Sequence, residues 1–78
     1  MQIGCGVATK EIRGRPYLYF WHYEDRGGRR AQVFRYLGSA RSEATRTRLT
    51  EAIDAYFERA TGEMRRRRAE LLARVQPG

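Results

Sequence analysis

The chain has 78 residues, a single cysteine and a net charge of +7. That length supports one domain with a small core, Cys5 alone excludes an internal disulfide or a cysteine-based zinc site, and no run nears the roughly 20 apolar residues that cross a bilayer. With no covalent staple, so small a core points to self-association for support, and the positive charge points to a polyanionic partner.

Residues 1–6 read as an arm or short edge segment, because two glycines in three positions argue against a rigid element. No apolar stretch follows Met1 as a secretion signal would require, so the expected location is the cytoplasm, and the nucleoid if the partner is DNA. Val7 to Arg13 is a first strand, with Lys10 and Glu11 as charges that protect an edge. Gly14-Arg15-Pro16 is a turn. Tyr17 to Glu24 is the clearest strand, dense in aromatics and free of turn residues. Asp25-Arg26-Gly27-Gly28 is a hairpin turn, since glycine tolerates the positive φ such turns require. Arg29 to Leu37 forms a third strand, ended by Gly38.

A helical region follows over 42–75, with Ser39 or Ser42 as N-cap. Leu49, Ala52, Ile53, Tyr56, Phe57 and Ala60 recur at three- and four-residue spacing, the stripe of an amphipathic helix. Gly62 can stop that helix and begin a second one. Alternatively the helix continues, as the rhythm Ile53, Phe57, Ala60, Met64, Arg67, Leu71 favours. A single helix from 42 to 75 would be about 50 Å long at ~1.5 Å per residue. Its far half would overhang a three-stranded sheet and need a partner.

Side chains alternate across a strand. If Glu24 pairs with Arg29, one face carries Tyr17, Tyr19, Trp21 and Tyr23 with Arg30, Gln32, Phe34 and Tyr36. The other carries Leu18, Phe20 and His22 with Ala31, Val33 and Arg35. The favoured assignment makes the second face the core, covered by Leu49, Ile53, Tyr56 and Phe57. The first face is then a recognition surface of hydroxyls, an indole, an amide and a guanidinium. The reverse assignment, with Tyr17, Tyr19 and Trp21 as core, stays open.

Charge is unevenly placed. Residues 1–38 carry seven basic and three acidic side chains, residues 39–62 four of each, and residues 63–78 five basic and two acidic. Arg26, Arg29, Arg30 and Arg35 lie on and around the hairpin turn, where the turn arginines suit phosphates, and Arg30 and Gln32 suit base edges. The alternative is a solubilising tip. Arg65, Arg66, Arg67 and Arg68 surround a helix on every side. They suit phosphate contact, or else a solvated helix end paired with Glu63 and Glu70. His22 is the only histidine. Without a nucleophile, a paired carboxylate set or a phosphate loop nearby, it reads as a packed sheet residue, and an enzyme is not expected. No cofactor or metal is implied.

The stretch Arg13-Gly14-Arg15-Pro16-Tyr17-Leu18-Tyr19, with Arg26-Gly27-Gly28-Arg29 and Tyr36-Leu37-Gly38, resembles a small module. That module occurs at the N-terminus of insertion-sequence transposases and in short uncharacterised bacterial and archaeal proteins. Its pattern is a tyrosine-rich strand, an Arg-x-Gly-Gly-Lys/Arg turn and a basic strand closing on Tyr-Leu-Gly. Residues 10–38 carry the likeness. A weaker likeness is to the three-stranded-sheet DNA-binding domain of phage integrases. It implies a sheet in the major groove backed by a helix. The sheet aromatics are similar instead to those of small archaeal chromatin proteins, whose sheets lie on the minor groove.

The expected fold is α+β, a single domain over 1–78. A three-stranded antiparallel β-meander over 7–38 precedes one long or two shorter α-helices. The expected function is nucleic-acid binding, with double-stranded DNA favoured. Tyr19, Trp21, Tyr23, Arg26, Arg29, Arg30, Gln32 and the four tail arginines would make the contact, and the helical region would form a homodimer. The alternatives are single-stranded DNA or RNA stacked on Tyr19, Trp21 and Tyr23, or a protein partner on the same rings.

Overall fold

The computed structural model describes residues 4–75. Strands β1 (Cys5–Ile12), β2 (Arg15–Arg26) and β3 (Arg29–Ser39) form an antiparallel sheet in that order, followed by one helix, α1 (Glu43–Val75). The α+β expectation holds, with one helix rather than two. Gly62 lies inside α1, where an added Cβ would meet nothing within 4 Å. At such an exposed position a glycine costs only about 1 kcal/mol against alanine, too little to stop a helix.

Several boundaries differ from expectation. Strand β1 takes in Cys5 and Gly6, the end of the segment expected to be an arm; residues 1–3 of that arm lie outside the described residues. Arg15 and Pro16 begin β2, which leaves Arg13-Gly14 as the first turn. The second turn is only Gly27-Gly28, with φ of 56° and 82°. Two consecutive positive φ values make the two-residue turn whose twist matches the strands it joins, and glycine adopts them without steric cost. Asp25 and Arg26 therefore extend β2, and Arg26 rather than Glu24 opposes Arg29.

This register change is two residues, one full side-chain period, so the sorting of side chains onto faces survives it. Trp21 now opposes Phe34, and Tyr19 opposes Tyr36. A bulge beside Leu18 and Tyr19 leaves Leu37 as the extra residue. The connection to α1 is tight. Ser42 N–H donates to Ser39 O at 3.1 Å, and Arg46 N–H donates to Ser42 O at 3.3 Å, which places Ser42 at the helix start.

Phe20, Leu37, Ala52 and Tyr56 form the buried core, with Cys5, Leu18, Leu49, Ile53 and Ala60 packed around it. Ala52 lets the helix approach Phe20 closely. The Phe20 and Tyr56 rings meet edge to face at 6.2 Å, an arrangement the ring quadrupoles favour. The Tyr56 hydroxyl accepts a 2.8 Å bond from Gly4 N–H, and Arg48 Nε donates to Leu37 O at 2.8 Å. Phe57, expected in the core, is instead 52% exposed. It lies about 100° around the helix from Tyr56, beyond the edge of the contact.

Candidate nucleic-acid interface

The helix covers the Phe20 and His22 face, so the opposite face of the sheet is open. Register and alternation put Tyr17, Tyr19, Trp21 and Tyr23 on it, beside Arg30, Gln32, Phe34 and Tyr36 of β3 and Gly6, Ala8 and Lys10 of β1. Phe34 and Tyr36 are each 56% exposed.

Small residues on β1 shape this surface. The Trp21 indole lies across β1 so closely that a Cβ at Gly6 would sit 2.5 Å from its ring. Glycine is thus required for space, and the indole is held flat rather than standing into solvent. Trp21 and Tyr23 meet edge to face at 5.4 Å, and the Arg30 guanidinium lies 4.2 Å from the Tyr23 ring centroid. At the other end, Tyr36 contacts Tyr19 at 5.4 Å and Tyr17 at 6.2 Å, with Lys10 Nζ 6.0 Å from the Tyr19 ring. An open depression of about 380 Å³ lined by Ala8, Thr9, Lys10, Tyr19 and Phe34 lies on the sheet. The result is a floor of rings with a cation at each end. Cations over ring faces are attracted by the quadrupole.

The other anticipated residues are placed differently. Arg26 points to the helix-bearing side and donates from Nε to Glu24 Oε2 at 3.0 Å. Arg29 opposes it at the hairpin tip and is exposed. Arg65, Arg66, Arg67 and Arg68 ride on the exposed second half of α1 and are not part of the sheet surface. A run of like charge in sequence is no guide to which face of the molecule it joins. Arg67 Nη1 lies 3.7 Å from Glu70 Oε2, an i,i+3 pair on a solvated helix face.

Lys10, expected only as an edge charge, joins the site, and Gly6, expected in a loose arm, is there for the space the Trp21 ring takes. The usable signal is the alternation of small residues, Gly4 just before β1 and Gly6 and Ala8 on it, lying against Tyr23, Trp21 and Tyr19.

His22 belongs to the covered face. Its ring stacks on Phe20 at 5.9 Å, and its Nε2 lies 2.9 Å from Glu24 Oε1. The bonds from His22 first and Arg26 second hold the Glu24 carboxyl below its ordinary value. A carboxylate with a depressed folded-state pKa adds stability above its unfolded value, and that stability is lost as pH falls through the folded value. The wild-type unfolding midpoint is therefore expected to drop as pH goes well below about 4.3, the ordinary glutamate value. Glu24→Gln should show a shallower drop across that range in denaturant melts at several pH values. An equal drop in both proteins would mean that Glu24 contributes nothing to acid sensitivity.

Among the described residues, no group of three or more His, Cys, Asp or Glu side chains is placed to hold a metal ion, and no helix is long and apolar enough to cross a membrane. Comparison with protein-family models, with curated proteins and with solved structures finds no match. The reading of the open face accordingly rests on its own chemistry.

Proposed function

We propose that this protein binds nucleic acid on the open sheet face, with bases stacking on the rings and phosphates meeting the surrounding cations. The observation that carries this reading is the pair of half-exposed rings, Phe34 and Tyr36, on a continuous aromatic floor with Lys10 and Arg30 at its ends. Single exposed apolar side chains are ordinary, but a contiguous exposed patch marks a binding surface. A net charge of +7 selects a polyanion over a neutral partner.

The geometry favours unpaired bases. Every base has a flat face to stack, worth roughly 1–3 kcal/mol each. Reading a base pair through a groove needs an array of side-chain donors and acceptors, and the middle of this face offers rings with Gln32 as its one amide. A specific feature supports duplex DNA as the second reading. The β2–β3 hairpin closes in two residues and carries Arg26, Arg29 and Arg30 at or beside its tip, and a two-stranded ribbon fits the major groove. The tail arginines would add phosphate contact from a separate part of the molecule.

Fluorescence anisotropy with a labelled single strand of about 16 nucleotides, repeated over a salt series with single- and double-stranded competitors, tests this. The expected result is a log affinity falling linearly with log salt, by about 0.7 per phosphate contacted on a single strand, and stronger displacement by single strand than by duplex. Stronger displacement by duplex would transfer the proposal to the hairpin. Absence of binding at low salt would end the nucleic-acid reading and leave a protein partner for the rings.

A further inference from the structure

The second half of α1 touches nothing. Every described residue from 61 to 75 is exposed. The molecule extends 64 × 25 × 13 Å with a radius of gyration of 17.1 Å, whereas a globular chain of this length has about 12 Å. An isolated helical stretch of about 15 residues is marginal in water, so this one requires a covering surface.

The uncovered surface is specific. Phe57, Met64 and Leu71, spaced by one heptad, are 52%, 49% and 48% exposed. Ile53 and Ala60 continue the stripe toward the core. One flank of α1, with Arg48, Glu51, Ala55 and Arg59, looks toward Arg35 of β3 across a cleft. The stripe therefore lies on the flank toward β1. There Val7, on the helix-bearing face of β1, is 46% exposed because α1 packs over β2 and β3. The bare stripe and the bare ledge of sheet adjoin each other.

We propose that a second copy of this chain fills that place, with its α1 antiparallel to the first and Met64 at the twofold axis. The charges carry the direction. With Met64 on the axis, residues 53–62 of one helix face residues 66–75 of the other; the former hold two acidic and one basic side chain, the latter one acidic and four basic. Antiparallel pairing sets the basic half of one helix on the acidic half of the other, whereas parallel pairing sets basic on basic. Centred on Met64, the pairing brings Phe57 to Leu71 and Ile53 to Val75, and Glu63 beside Arg67. One patch thus complements itself, as a twofold interface demands. This inference stands independently of what the open face binds.

Sedimentation and light scattering are expected to give twice the 9.1 kDa chain mass. Met64→Asp, at a position that supports nothing within one chain, should give a folded monomer with unchanged sheet circular dichroism. In a Cys5→Ser background, Met64→Cys should form a covalent dimer on mild oxidation. Val75→Cys should not, because antiparallel helices hold the two positions about 33 Å apart. A monomer at every concentration, or cross-linking of Val75→Cys as readily as Met64→Cys, would overturn the proposal.

Discussion

Replacing Phe20 with alanine is expected to unfold the domain. Phe20 is 3% exposed and belongs, among the described residues, to a core cluster of four buried side chains. It contacts Tyr56 from the helix and His22 along its own strand, so it joins the two layers. Truncating a buried phenylalanine costs about 3–5 kcal/mol from lost transfer energy and the cavity left behind. A chain of this size has roughly 4–12 kcal/mol of stability at about 0.05–0.15 per residue, and a four-residue core places it near the lower end. Thermal melts by circular dichroism should show Phe20→Ala without a cooperative transition, or with one far below that of the wild type. Trp21→Ala, on the opposite face, should keep the sheet signal and a cooperative melt. If the two variants exchanged behaviour, the ring-bearing face would be the core and the interface argument would fail with it.

The double change Phe34→Ala with Tyr36→Ala should abolish most nucleic-acid affinity while leaving the fold intact. Both rings stand more than half in water, so their removal takes little from the core. With stacking worth roughly 1–3 kcal/mol per base, removing two rings should lower affinity by about 30-fold to somewhat more than 10⁴-fold. The slope of log affinity against log salt should not change, because no phosphate contact is touched. Lys10→Ala should do the opposite, reducing the slope by close to 0.7 on a single strand with a modest loss of affinity. A double variant that binds like wild type would show that the rings face something other than bases.

Much of this architecture was legible along the chain. The aromatic run from Tyr17 to Tyr23 could only be a strand, and its division into two faces survived a mistaken register because the error was two residues. The rhythm from Ile53 to Leu71 passes through Gly62, and the helix does too. What escaped was non-local. Phe57 shares the apolar stripe yet falls outside the sheet contact, which depends on where β1 lies. Gly6 looks like a mark of flexibility until the Trp21 indole is laid across it. The arginines at 65–68 share a charge with the sheet surface and none of its space.

By itself, the sequence determined the elements and their periodicity, since both follow from local backbone preference and from which residues avoid water. It could not decide which ring-bearing face the helix would cover, because Phe20 and Trp21 satisfy the same alternation. Tertiary packing decided it through the cost of burying polar groups. Leu18, Phe20 and Leu37 go under the helix with no polar side-chain atom to satisfy, and among the described residues His22 Nδ1 alone is left buried there without a partner. The tyrosine hydroxyls, Arg30 and Lys10 of the other face would each lose water there for no partner in return, so that face stays open.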